Sequence, residues 1–555
     1  MLLVERRLFL QRAAAAAATT TLPRWAWSRP PALTTTPFAL GVASGDPLHD
    51  GMVLWTRLLL TDPAHRQSAH TVRWEVAHDP RFQRIVRRGQ SVALPELGHS
   101  VHTELQGLAP DRWYFYRFML GDAVSPAGRT RTAPAPSDMP SALRVAFASC
   151  QRWEHGHYAA WRHLAADQPD LVLFLGDYIY EYPTPRNTAG LARTHTLGLA
   201  TTLADYRDRY ALHKSDTALQ QAHAACPWAV TWDDHEVQND YAGLLGREER
   251  ERPEGREGPE GGRNGHSSDA FFAQRSAAYQ AFYENMPLRA SSLGAQLGTG
   301  NFGQLQVYRR LRWGRLAHLH LLDARQSRSW QACRVDGASG ASAVRPEQCP
   351  ELAAPHRSLL GTEQERWLSE GLADDAATRG TTRWTVLAQQ TLFSARHYPS
   401  GVVSTDSWDG YPAARARLLA AVAGHAPRNT VLLGGDIHQN YVCRVHAPAS
   451  SHALGSPGGS GAPGAPGAVL ASEFCGTSIS SRSGAAQDKV DAVARHNPHV
   501  LLARSDLRGY GLADITPARW TTSLRVIADP LQADSPVSKL ARFVVEDGRP
   551  GPIAA

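Results

Sequence analysis

The sequence predicts an α/β protein preceded by a small all-β sandwich of the fibronectin III or immunoglobulin type. Three observations predict it. From Pro37 to about Ala133, short strand patterns recur at the spacing of a β-sandwich. The stretch Ala133-Pro134-Ala135-Pro136-Ser137-Asp138 then reads as a linker. Beyond it, apolar runs alternate with helical stretches, the rhythm of an α/β body. With 555 residues the chain is too long for one small core. The expected divisions are a leader at 1–36, a sandwich at 37–134 and an α/β domain at 140–545.

The leader comes first. Arg6-Arg7-Leu8-Phe9-Leu10 precedes an Ala-rich segment, Ala13 to Ala18, and a Thr-rich tail. Paired arginines before a weakly apolar segment resemble a twin-arginine signal peptide, although Arg12 shortens that segment. The expected partner is the twin-arginine translocation machinery, and the expected location is periplasmic or extracellular. No run of about 20 apolar residues occurs, so no spanning helix is expected. The net charge is +6, without a Lys/Arg run suited to nucleic acid. In an oxidising compartment, Cys333 and Cys349, which flank a Gly/Ala/Ser loop, are the candidate disulfide.

Within the sandwich, Met52–Leu58, Val72–Ala77 and the aromatic-rich Arg112–Phe118 read as strands. After the linker, strands are expected at Leu143–Cys150, Leu171–Leu175, Trp228–Trp232, Leu316–Leu322, Trp384–Ala388 and Thr430–Leu433. Helical patterns cover about 158–167 and 202–225. Arg247–His266 is charged and Gly-rich, and Ala447–Gly467 is Gly/Pro/Ser-rich, so both read as surface loops.

Three strand ends carry metal-type residues: Gly176-Asp177-Tyr178-Ile179-Tyr180-Glu181, Asp233-Asp234-His235-Glu236 and Gly434-Gly435-Asp436-Ile437-His438. The glycines of the third are expected to allow a tight turn. One such Asp could cap a helix. Three, all at strand ends where α/β sheets place ligands, point instead to clustered metal ions. Such ions neutralise phosphoryl oxygens and supply hydroxide at neutral pH. No Gly-x-Ser-x-Gly elbow and no Lys-bearing phosphate loop occurs.

The order of these motifs resembles the calcineurin-like metallophosphoesterases, and more closely the PhoD-like alkaline phosphatases and the related phosphodiesterases and phospholipases D. The likeness extends to Leu40–Pro47, Phe147–Gln151, Leu322–Gln326, Trp408–Pro412 and Glu473–Ser478, and covers about residues 37 to 530. The resemblance implies an αββα four-layer core of two mixed sheets. It also implies Fe(3+) with Ca(2+), and hydrolysis of phosphate monoesters and diesters by metal-bound hydroxide at alkaline pH.

Carried over by position, Asp177 bridges the metals, and Cys150, Tyr180 and His438 hold iron. Asp177, Asp234, Asn239 and Asp436 are the calcium candidates, as oxygen donors should be, with Asp233 a rival to Asp234. His235 is assigned to the phosphate or the leaving group, so His235, Asp177 and Asp436 form the catalytic set. Arg325 and Arg415 are candidate phosphate contacts. A monomer acting on a phosphate ester is expected. The rival within the same chemistry is a phosphodiesterase or phospholipase D acting on phospholipid, teichoic acid or nucleotide diesters. A lid at Trp408–Pro412, or from Asp506 to Trp520, would separate it from a phosphatase. The rival of a different class is a secreted binding protein with an inert core.

Overall fold

The computed structural model describes residues 36–246, 269–296, 302–334, 340–377, 382–447 and 467–555. The leader up to residue 35, the whole of Arg247–His266 and nearly all of Ala447–Gly467 lie outside the described residues.

Two sheets organise the α/β body. In the first, Leu143–Ala148, Leu171–Leu175 and Trp228–Thr231 run parallel. In the second, Ala317–Leu321, Trp384–Ala388, Thr430–Gly434 and Val469–Cys475 run parallel. Antiparallel strands flank both sets, giving mixed sheets of ten and seven strands. The central strands are mostly apolar because both faces are covered, although the second sheet also buries His318, His320 and Glu473. Val145, Phe147, Leu171 and Leu173 point toward Leu319, Val386, Val431 and Phe474 of the other sheet, in one shared core. Their neighbours Ala146, Val172, Phe174 and Trp228 point the other way, onto Trp161, Leu219 and Phe282. Those residues belong to the helices Ala159–Ala166, Thr217–Ala225 and Asp269–Asn285. Behind the second sheet, Leu387 and Leu432 pack with Leu368, Leu372 and Leu418, from the helices Thr362–Ala377 and Pro412–His425.

The amino-terminal strands do not stand apart from this body. Val42–Leu48, Gly51–Arg57 and Ser100–Glu104 form one edge of the ten-stranded sheet. A five-stranded sheet that includes His70–Ala77, Ile85–Ala93 and Trp113–Leu120 packs over them, around Leu54, Val72, Tyr116 and Phe118. The seam is tight. Gly45 pairs with Trp228, and a Cβ at Gly45 would lie 2.6 Å from the Pro287 carbonyl. Asp46 is ion-paired to Arg309 at 2.7 Å, and Trp55 Nε1 donates to the Glu284 carbonyl at 3.0 Å.

Neither expected lid is a lid. Arg508–Ile515 is a strand beside Leu143–Ala148 within the ten-stranded sheet, and Arg519–Ile527 pairs with it. Leu512 packs on the helix-covered face, and Ala513 and Ile515 in the core between the sheets. Trp408 and Tyr411 are buried in the core behind the seven-stranded sheet. Cys333 and Cys349 are disulfide-bonded, with Cα atoms 5.9 Å apart. Cys226, Cys443 and Cys475 are buried free thiols.

Candidate metal centre

The parallel strands of both sheets deliver their carboxyl ends to one place. Just beyond them the backbone leaves the ordinary regions: Cys150 (φ 60°), Asp177 (φ 59°), Asp436 (φ 63°) and His438 (φ 54°) are all left-handed without being glycine. Such conformations cost of order 1–3 kcal/mol each and gather at functional sites. They are held by hydrogen bonds between the loops. The Cys150 N–H donates to the Gly176 carbonyl and the Gln151 N–H to the Asp177 carbonyl, both at 3.0 Å. The turn at Gly434-Gly435 is therefore made by Asp436 and His438, and the glycines serve close approach instead. A Cβ on Gly435 would sit 2.3 Å from Ser149 Oγ, and one on Gly434 2.5 Å from the Thr391 carbonyl.

Three overlapping groups of ligand atoms result. Cys150, Asp177 and His438 form the first, Asp177, Asp234 and His235 the second, and Asp234, Asp240 and Asp406 the third. Within each group the ligand atoms lie within 4.8 Å of one another. Asp177 joins the first to the second, and Asp234 joins the second to the third.

Tyr180 closes the first group. Its hydroxyl donates to Asp177 Oδ2 at 2.9 Å, lies 3.1 Å from His438 Nε2, and accepts from Ser481 Oγ at 2.8 Å. His438 Nδ1 faces the Arg482 carbonyl at 2.8 Å. That contact places the ring proton on Nδ1 and leaves Nε2 free to bind a metal. In the second group His235 Nδ1 lies 2.7 Å from Glu181 Oε2, while Glu181 Oε1 accepts the Asn239 N–H at 2.8 Å. Glu236 stitches two strand ends together by accepting from the N–H groups of Asp177 (3.2 Å), Tyr178 (2.5 Å) and Asp233 (2.9 Å).

The electrostatics call for cations. Burial raises the Asp177 pKa well above the carboxylate range, and repulsion from Asp234, Glu236 and Asp436 adds to it against the pull of His235. Burial, then Asp406 and Asp234, lift Asp240 to about 7. Burial, followed by repulsion from Asp177, likewise holds the Cys150 thiol and the Tyr180 phenol well above their usual values. Burial alone would lower His235, but Glu181, Asp177 and Asp234 raise it well above an ordinary imidazole. Asp177 Oδ1 is buried without a hydrogen-bond partner among the described residues. Carboxylates crowded in a low-dielectric interior are stable together only when compensated. The donors fit metal ions: thiolate, phenolate, imidazole and carboxylate in the first group, and oxygen alone in the third.

Of the residues picked from the sequence, Cys150, Asp177, Tyr180, Asp234, His235 and His438 are brought together. Asp436 lies beside them: its carbonyl is 3.8 Å from Cys150 Sγ, and its charge bears on Asp177. Asn239 reaches the cluster through its backbone contact with Glu181. Arg325 is central but engaged with protein carboxylates. It is fully buried, bonded to Asp233 through Nε, and 2.9 Å from Asp406 and 3.5 Å from Asp234 through its terminal nitrogens. Arg415 is outside all three groups and is ion-paired to Asp409. Sequence reasoning missed Asp240 and Asp406 as potential ligands and Glu181 and Glu236 as their supports. Asp240 could have been found as the sixth residue after Asp234 in the same turn. Asp406 follows no strand pattern that would single it out.

Comparison with known proteins shows the family. The model of the PhoD-like phosphatase family matches residues 145–524, and that of the PhoD-like phosphatase N-terminal domain matches residues 24–134. Alkaline phosphatase D of Bacillus subtilis (strain 168) is 40% identical over 532 residues, covering 94% of this chain and 83% of the relative. A solved structure described as the structure of PhoD superposes with a TM-score of 0.81 at 39% identity, covering 95% of this chain and 93% of that one. With the strand-end cluster and these matches together, the chain belongs to the PhoD-like phosphatase family.

Proposed function

We infer that the chain is a metal-dependent phosphoric ester hydrolase of the alkaline phosphatase type, and that the three ligand groups are its reaction centre. The observation that carries this is Asp177: one carboxylate shared by two ligand groups, with a buried oxygen left unpaired among the described residues. We read Cys150, Tyr180, His438 and Asp177 as holders of Fe(3+), whose charge suits anionic thiolate and phenolate donors. Asp177, Asp234, Asn239, Asp240, Asp406 and Asp436 then supply oxygen donors toward Ca(2+). Bound there, such ions neutralise charge on the phosphoryl oxygens and make water a nucleophile at moderate pH.

The chain's own residues set the rest. His235, held by Glu181 on its Nδ1 side, presents Nε2 and can give a proton to the departing alkoxide. Arg325 fixes Asp233, Asp234 and Asp406 in register, a positioning role in place of the direct phosphate contact expected of it. The packing of helices outside two facing sheets is read as the αββα core, with the amino-terminal strands closing a sandwich on its edge. Among the described residues no helix is long and apolar enough to cross a membrane. Residues 1–36 are proposed as a twin-arginine signal for export to the periplasm or beyond, and a reporter fusion that stays inside the cell when Arg6 and Arg7 are intact would refute that.

The test is Asp177→Asn in the purified full chain with Fe(3+) and Ca(2+) supplied. Turnover of p-nitrophenyl phosphate is expected to fall by about 100- to 1,000-fold, as when one of a few preorganised charge-stabilising groups is lost. Circular dichroism should be unchanged. Retention of most activity would remove the proposal. Running bis-p-nitrophenyl phosphate alongside gives the monoester to diester preference.

A further inference from the structure

Away from this centre, the strand Ala317–Leu321 carries His318 and His320 two residues apart. That spacing puts both on one face of the strand, and their ring centroids are 4.5 Å apart. The face meets the helix Thr362–Ala377, and Asp375 near its end reaches both rings. Asp375 Oδ2 is 2.8 Å from His320 Nε2, and Oδ1 is hydrogen-bonded to His318 Nδ1. All three side chains are buried, His320 at 0% exposure. Their ligand atoms lie within 4.8 Å of one another, and the trio shares no residue with the three groups above.

One further feature marks the trio. His318 lines a cavity of about 350 Å³ that is bordered by His49, Arg310, Arg312 and Asp374.

We propose that His318, His320 and Asp375 form a second binding site, for a divalent cation of the zinc class, with solvent from the cavity as fourth ligand. Two imidazoles and one carboxylate are the donor set of an open tetrahedral zinc site. Calcium and magnesium prefer oxygen throughout and are disfavoured by two nitrogen donors. Binding requires no net loss of protons from the rings. Each neutral imidazole keeps its proton on the distal nitrogen, His318 Nε2 or His320 Nδ1, and turns a lone pair to the ion.

The experiment uses the full chain carrying Asp177→Asn, which takes out the shared ligand of the other centre. After equilibration with Zn²⁺ and gel filtration, elemental analysis should find a zinc equivalent per chain that is lost at least tenfold on adding His320→Gln. Equal zinc with and without His320→Gln, or none in either, overturns the site. Co²⁺ should give the visible bands of tetrahedral coordination in the Asp177→Asn chain, and their absence also overturns it. If His320→Gln fails to fold by circular dichroism, Asp375→Asn takes its place and the same loss is required.

Discussion

The buried contact between Glu181 and His235 shows how much a single residue can decide. A carboxylate 2.7 Å from Nδ1 holds a proton there, and its charge favours a second proton on Nε2. The same carboxylate accepts the Asn239 N–H, so it also shapes the turn that carries Asp234. Glu181→Gln should keep the hydrogen-bonding shape and remove the charge. Turnover should fall about 10- to 100-fold with little change in KM. Because Glu181 raises the proton affinity of His235, the limb of the pH–rate profile that reports His235 should move to lower pH. An unmoved limb with unchanged turnover would mean that His235 is not the proton donor. Gly435 illustrates the opposite kind of necessity. Its φ is ordinary, and it is glycine because Ser149 leaves no room for a Cβ.

Among elements, the strand ends matter most. Each parallel strand stops against a loop locked to its neighbour, and Glu236 ties the end of Leu171–Leu175 to the end of Trp228–Thr231. The two sheets thus act as one rigid frame for ligands that come from distant parts of the chain. The segment closed by Cys333 and Cys349 is held differently. The sequence separation of 16 makes the bond worth about 3 kcal/mol by loop-closure entropy. Thermal denaturation with and without reductant should show a lower midpoint for the reduced protein. Equal midpoints would show that the bridge constrains nothing that unfolds cooperatively.

For the whole molecule, half-buried His102 and buried His213 weaken the fold in acid. Burial lowers His102 to about 4 and His213 to about 3, well under the usual imidazole value near 6.5. Both are neutral in the folded protein, while the unfolded chain takes up protons as soon as the pH drops below about 6.5. The unfolded state then binds more protons, so stability falls as pH decreases from about 6.5 to about 4, by up to roughly 1.4 kcal/mol per unit per group. Urea midpoints measured across that range should decline with pH, and His102→Gln should flatten part of the slope. His102 links the amino-terminal sandwich to the body through the carbonyls of Tyr283 and Met286, each 2.9 Å away, so its protonation should loosen that seam.

The local sequence was enough for the α/β rhythm, the positions of Leu171–Leu175 and Trp384–Ala388, and the clustering of Asp177, Asp234, His235 and His438. Apolar runs must be buried, and polar residues that follow them sit at sheet ends. The disulfide was open to the same reading, since two cysteines flanked a loop. What the chain pairs with over long range was not legible. Local alternation cannot say that Arg508–Ile515 completes the first sheet, nor that the amino-terminal strands extend that sheet across Gly45 and Trp228. Nor can it place Asp406 beside Asp234, or Asp375 beside His318 and His320, because nothing near those aspartates in sequence records which distant charge they compensate. The strand-end motifs were determined by the residues themselves. Which of their carboxylates meet was decided only by tertiary packing, because contact acts over a few ångströms of space and is blind to separation along the chain.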